Sequence, residues 1–306
     1  MGAPVAANTG VADRRPSLGR AGTRRRGARP GRLPRWLWHL LVIVIVLIVI
    51  YPVVWMLGTS FKPATEVVSS VRPWPTSPTL HNYPQGWTGN PGVTFGRFFL
   101  NSAVISLAAV LGNLFACSLA AFAFSRLRFR ARRFLFPIVV VTLLLPYHVL
   151  IVPQYAIFKH LGWVNTFWPL IVPKFLATDA FFIFLMVQFM RGIPRELDEA
   201  ATLDGCGPYR TYWHIVLPLA RPALITSAIF TFIWTWNDFF TQLIYLNDTS
   251  KFTVPVGLSL FVDQAGFSSY GPMMAMAVLS VAPVFLFFLA FQRLLVEGVA
   301  TSGIRG

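Results

Sequence analysis

Glu199-Ala200-Ala201, Gly205 after three further residues, and Ile215-Val216-Leu217-Pro218 after nine more make a constellation of fixed spacing between two long apolar segments. Its chemistry is recognition rather than bond making. Pro194 stands where a helix tolerates proline, and Glu196, Asp198 and Glu199 follow where the positive end of the helix dipole favours carboxylates, so a short helix is predicted to begin there. Gly205, preceded by Asp204, supplies the stop, because glycine readily takes the left-handed conformation that closes a helix. Pro208 can open a second short helix running towards Ile215. Ala200 and Ala201 would leave a low surface flanked by charges, suited to a groove on another protein. The plainer reading, a solvated helical loop, accounts for the Glu-Ala-Ala triplet but not for the whole spaced pattern.

A second group has the chemistry of sugar binding. Asp179 falls near the middle of an apolar run, and Trp234, Trp236, Asn237 and Asp238 cluster towards the outer part of another. Ionisable groups at membrane depth are costly and face a bundle interior or water. Carboxylate and amide could bond sugar hydroxyls while indoles stack on the apolar ring face. The competing reading pairs Asp179 with Lys174 and leaves Asp238 in an interfacial aromatic belt. His148 reads as a hydrogen-bonded core residue, since no second His, Cys or carboxylate sits at metal spacing. Cys117 lies within an apolar run and Cys206 in a polar loop, so no disulfide is expected. The Asn247-Asp248-Thr249 sequon reads as chance. No G-x-x-x-x-G-K-[ST], G-x-G-x-x-G or H-E-x-x-H occurs, so this chain is expected to bind no cofactor and to have no ATPase site. Energy must come from a partner.

The elements that position these groups are read from composition. Hydrophobic residues make up 55% of the chain and charged residues 12%, which fits an integral membrane protein rather than a soluble domain. Six apolar runs, 36–57, 98–124, 134–158, 168–190, 222–246 and 273–291, are each predicted to cross the membrane. The first, as a helix, is roughly 33 Å long against a hydrocarbon core of about 30 Å. The loop 191–221 between runs four and five holds the Glu199 constellation. The segments 1–35, 126–133 and 191–221, with Arg293 and Arg305, carry 20 of the 26 Lys and Arg, which places both termini and the Glu199 loop in the cytoplasm. That asymmetry explains the net charge of +15. The arginine-rich residues 1–35 lack aromatic interleaving and read as a disordered, lipid-facing tail rather than a nucleic-acid arm. The first run is too long for a signal peptide and no small-x-small site follows it, so it is expected to stay attached. Ala108, Gly112, Ala116 and Ala120 form a smooth stripe for helix packing, within the chain or against a second membrane subunit. Pro146, Pro153 and Pro283 interrupt the ladders of the third and sixth runs.

The pattern E-A-A-x₃-G-x₉-I-x-L-P resembles the signature of the membrane-spanning subunits of binding-protein-dependent ABC importers. From about Trp36 to the last residue the chain is similar to that family. Phe61-Lys62-Pro63, Trp236-Asn237-Asp238, the run Thr253 to Leu258, Met274-Ala275-Met276-Ala277, and the ending from Phe291 to Gly306 resemble the smaller permease of maltose-type carbohydrate importers. The resemblance implies an all-α membrane permease that forms half of a path for a di- or oligosaccharide or a glycerol-phosphate type solute. It implies as partners a second homologous permease, a pair of ATPases that use ATP and Mg, and an extracytoplasmic sugar-binding protein. The 247–271 loop would face the binding protein, and the tail after Arg293 would reach the ATPases. Some relatives leave nearly all sugar contacts to the larger permease. The alternative from another class is an ATP-independent channel or secondary transporter, which has no need of a docking loop.

Overall fold

The computed structural model describes residues 35–89, 92–262 and 269–302, and every regular element among them is helical. The disordered tail expected over 1–35 and the ending Gly303-Ile304-Arg305-Gly306 lie outside the described residues, apart from the backbone of Arg35. The chain divides into residues 1–49 and 50–306. The first unit is described as the opening of α1 (Arg35–Ser60), whose side chains from Trp36 are exposed apart from Leu37. An apolar surface with all its backbone groups bonded inside the helix is what lipid requires.

The second unit holds the end of α1 and the helices α2 (Ala64–Ser69), α3 (Asn82–Thr88), α4 (Phe95–Arg126), α5 (Arg132–Thr142), α6 (Tyr147–His160), α7 (Trp168–Phe175), α8 (Ala180–Arg191), α9 (Glu196–Leu203), α10 (Pro208–Thr211), α11 (Leu217–Leu219), α12 (Arg221–Asn237), α13 (Phe240–Tyr245), α14 (Val254–Ser259) and α15 (Tyr270–Ser302). Its centre is α4, along which α7, α8, α12 and α14 pack. Small residues make this possible, because helices in lipid associate by close approach rather than by escape from water. A Cβ on Gly112 would stand 2.5 Å from Cδ2 of Phe175 in α7, so this part of the small-residue stripe packs within the chain. Asn113 adds an interhelical bond, its Nδ2 donating to Thr231 Oγ1 of α12 at 2.6 Å. Gly112→Val is therefore expected to force α7 off α4 and cost about 1–3 kcal/mol, read as a lower melting point of the detergent-purified protein.

Before α2, Lys62 is fully buried, and its Nζ donates to the carbonyls of Ser70 and Arg72 at 3.0 and 2.6 Å. Asn82 Nδ2 donates to the carbonyls of Ser60 and Lys62, both at 2.8 Å. The Phe61-Lys62-Pro63 motif is thus a polar knot that closes the turn after α1. Glu66 accepts from Thr76 Oγ1 at 2.7 Å and from its N–H, and these bonds hold its carboxyl below the usual carboxylate range.

Among the described residues four helical stretches are long and apolar enough to cross a membrane: Trp36–Ser60, Phe95–Arg126, Trp168–Arg191, which joins α7 and α8, and Tyr270–Leu294. A fifth arises if Pro208–Leu219 and Arg221–Asn237, bent by 74°, are counted together. The run expected as the third span differs. Its ladder stops at Thr142 and restarts at Tyr147 after Pro146, which has no N–H and disfavours a helical residue before it. Neither α5 nor α6 is long enough to cross alone. Pro153 and Pro283, by contrast, lie inside continuous helices. The fifth run ends as a helix at Asn237, where Asp238 turns extended before α13.

The coupling loop and a candidate translocation path

Two short helices flank Gly205 in the Glu199 loop. Helix α9 starts at Glu196, two residues after Pro194, with Glu196, Asp198 and Glu199 in its first turn. At its other end Gly205 adopts φ +77°, Cys206 N donates to Ala201 O at 2.8 Å, and Gly205 N donates to Thr202 O at 3.0 Å. That pair of bonds is a Schellman closure with glycine in the left-handed position after the Asp204 cap. The return limb runs through α10, a π turn over Tyr212–Val216, and α11. The π bond joins Leu217 N to Tyr212 O just before Pro218, which can donate nothing to the ladder. Ile215, Leu217 and Pro218 are half-buried.

Of the residues in the spaced pattern, Glu199, Ala200, Asp204 and Gly205 are exposed. Ala201 is only 4% exposed and packs inward, so the Glu-Ala-Ala triplet presents one alanine to solvent rather than two. Two apolar side chains complete the surface: Leu203 is 89% exposed and Tyr209 78%, one on either side of Gly205. Nothing in the spacing rule points to them, although an exposed leucine and tyrosine beside a turn are a usual mark of a contact surface.

Two contacts tie this loop to α4. Arg126, the last residue of α4, donates from Nη1 to Asp198 Oδ2 at 2.7 Å and from Nη2 to the carbonyls of Met190 and Ile193 at 2.7 and 2.8 Å. Its side chain is 4% exposed. One guanidinium therefore joins the end of α4, the end of α8 and the first turn of α9, using the planar fork that lysine lacks. Tyr212, buried, shares a hydrogen bond with Ser118 of α4 at 2.7 Å, and its ring packs on Phe122 at 5.2 Å. In the sequence Arg126 is one of five arginines between 126 and 133, with nothing local to single it out. Tyr212 fell within the nine-residue spacer.

The path residues divide differently. Asp179 sits in the break between α7 and α8, where its Oδ2 meets Lys174 Nζ at 2.8 Å. Two residues earlier Ala177 holds φ +54°, a left-handed conformation that costs a residue with a Cβ roughly 1–2 kcal/mol. Phe181 and Phe182 of α8 pack on Trp234 of α12 with ring centroids 5.5 and 5.3 Å away, which brings the start of α8 beside Trp234. Trp234 itself is 49% exposed. Trp236 is instead buried at 3%, its Nε1 donating to Ser280 O of α15 at 3.1 Å, and its indole face is unavailable to a ligand. Asn237 is exposed and donates from Nδ2 to Ile233 O at 2.8 Å. Asp238 accepts from Thr241 N at 3.1 Å and so caps α13. Asp238→Ala separates the two readings of this carboxylate. A path residue would change the substrate concentration for half-maximal uptake per assembled complex. A cap would lower stability by about 1 kcal/mol and leave uptake kinetics alone.

No group of three His, Cys, Asp or Glu among the described residues is placed to hold a metal ion. Both cysteines are free thiols, Cys117 buried and Cys206 half-buried.

Comparison with known proteins matches residues 112–301 to the family described as "Binding-protein-dependent transport system inner membrane component". The Trehalose/maltose transport system permease protein MalG of Thermococcus litoralis is 33% identical over 275 residues, covering 90% of this chain and 98% of the relative. The Diacetylchitobiose uptake system permease protein NgcG of Streptomyces coelicolor is 30% identical over 268 residues, covering 87% and 88%. A crystal structure of a bacterial ABC transporter involved in the import of the acidic polysaccharide alginate superposes with a TM-score of 0.75 at 22% identity, over 87% of this chain and 99% of that one. With its helices, its apolar spans and a family match reaching from the middle of α4 into α15, the chain belongs to the inner membrane components of binding-protein-dependent transport systems, the multi-pass permeases of ABC importers.

Proposed function

We propose that this chain forms half of the translocation path of an importer for a sugar, a di- or oligosaccharide or a glycerol-phosphate type solute, driven by partner ATPases that dock on the Glu199 loop. The observation that carries this reading is the loop itself: an exposed face of Glu199, Ala200, Leu203 and Tyr209 whose two limbs are fastened to α4 by Arg126 and Tyr212. A push on that face has a rigid route into the helix against which α7, α8 and α12 pack. The partners are a second homologous permease, two ATPases that bind ATP and Mg, and an extracytoplasmic sugar-binding protein. This chain contributes no ATPase site of its own. The relatives named for trehalose, maltose and diacetylchitobiose support the carbohydrate class.

In this reading both termini and the 191–221 loop are cytoplasmic. Six crossings then require α5 and α6 to act together as one interrupted span. Cysteine labelling checks that topology: a cysteine introduced beside Arg128 should be shielded from an impermeant reagent in intact cells, and ready labelling from outside would overturn it. Function is tested by purification and reconstitution. Co-isolation with an ATPase and a second permease, and sugar uptake that needs ATP and the binding protein, are the expected results. Solute flux through this chain reconstituted alone would instead establish an ATP-independent channel or carrier.

A further inference from the structure

Next to the Arg126 joint, the turn between α4 and α5 forms an open basic hollow, with the Arg191 guanidinium 4.8 Å over the ring of Phe136 in its wall. Arg128, Arg130, Arg132 and Arg133 surround about 840 Å³ of open space whose remaining walls are Phe129, Phe136 and Pro137. No carboxylate lines it. Among the described residues the guanidinium groups of Arg128, Arg130 and Arg132 have no hydrogen-bond acceptor or ion-pair partner, and that of Arg133 lies 4.8 Å over the Phe134 ring. The 11-residue helix α5 starts at this wall with Ala131 at its cap, which supplies no side-chain acceptor, and with arginines rather than acids in its first turn. The positive end of the helix dipole thus adds to four like charges, an arrangement that repels itself until an anion enters.

The surface beyond the cavity narrows the kind of anion. Phe134, Leu135, Ile138 and Val141 are exposed along α5 and continue directly from the charged wall. A cationic cup that opens onto an apolar helix face has the shape of a phospholipid, headgroup at one end and acyl chains at the other. A small free anion would satisfy the guanidiniums but make no use of this apolar face. A general excess of positive charge on the inner side explains the sign of the turn, not the grouping of four arginines against the apolar side of α5. We propose that the cavity binds the headgroup of an anionic phospholipid of the cytoplasmic leaflet, with the acyl chains along the exposed side of α5. The choice of leaflet rests on the topology given above, which the cysteine labelling tests separately.

The test uses the assembled transporter, purified in mild detergent and titrated with phosphatidylglycerol or with phosphatidylcholine of the same chains, bound lipid being counted by native mass spectrometry. Phosphatidylglycerol should bind preferentially. Each guanidinium near a lipid surface is worth roughly a factor of five, so R130Q/R133Q should weaken phosphatidylglycerol binding about 25-fold. R14Q/R15Q removes the same charge from the chain's basic start and should leave it unchanged. The pair at 130 and 133 spares Arg126, Arg128 and Arg132, which keeps most of the turn's charge for membrane orientation. A second measurement needs no variant: a photoreactive phosphatidylglycerol in wild-type complex should cross-link within residues 128–141. Equal binding of the two lipids, equal loss in the two variants, or cross-links only elsewhere would overturn the proposal. Displacement of the lipid by millimolar inorganic phosphate, with no lipid retained, would make a free anion the occupant and overturn it as well.

Discussion

Arg126→Ala is expected to abolish sugar uptake while leaving the transporter assembled and its ATPases able to turn over. The side chain is almost wholly buried and makes three charge-assisted bonds of 2.7 to 2.8 Å, to the Asp198 carboxylate and to the carbonyls of Met190 and Ile193. Removing one member of a buried ion pair typically costs about 3–5 kcal/mol, because the groups left behind stay desolvated without partners. That cost falls on one joint. The core around Cys117, Phe182, Met186 and Val216 does not include Arg126 and holds α4, α8 and the start of α12 together without it. Leu203 and Tyr209, which face solvent, keep their positions for docking. The loop would move with the ATPases but no longer carry α4 with it. If about 3 kcal/mol is lost from the coupled arrangement, uptake per complex falls by roughly two orders of magnitude. Uptake and ATP hydrolysis measured in the same proteoliposomes should therefore separate, with hydrolysis persisting. Arg126→Lys keeps the charge without the fork and should recover only part of the uptake. Normal uptake by the alanine variant at matched complex levels would show that the joint does not transmit motion.

Gly205→Pro should have an effect of similar size by another route. Proline holds φ near −65°, whereas this position needs +77°, and it removes the N–H that bonds to Thr202 O. The closure of α9 is lost, and with it the angle between the limbs that carry Leu203 and Tyr209. Gly205→Ala provides an internal scale. No atom lies within 4 Å of a Cβ at this position, so alanine meets only the backbone penalty of about 1–2 kcal/mol and should reduce uptake without abolishing it. Glu199→Lys completes the set. Glu199 is exposed and its side chain makes no hydrogen bond or ion pair among the described residues, so reversing its charge should not disturb folding and any loss of uptake must arise at a partner. Membrane insertion, governed by the spans, should be equal for all three. Full uptake by both Gly205→Pro and Glu199→Lys, at matched protein levels, would remove the loop from the coupling mechanism.

The helical class, the apolar spans and the helix-turn-helix around Gly205 were legible in the residues, because each depends on local chemistry. Runs without charge partition into lipid whatever their neighbours are, acids collect at a helix start, and a glycine at φ +77° closes a helix by its own bond to the residue three back and its successor's bond to the residue five back. The break after Thr142 was foreshadowed by Pro146, yet composition alone made one span of two pieces, since an average over a window does not register a missing N–H. What the tertiary structure decided is which side chains meet and which stay exposed. Asp179 and Lys174 are close enough in sequence for their pairing to be one of two readings, and the fold brings the two charges within 2.8 Å. Trp234 and Trp236 are identical in type and two residues apart. Packing against α4 and α15 buries one indole, while the other stays half exposed. Arg126 and Asp198 are 72 positions apart, and no local rule connects an arginine at a helix end to an acid in a distant loop. Their meeting depends on α4, α8 and α9 converging at one point, and a buried charge finds its partner only when the whole fold has removed the water that would otherwise have solvated it.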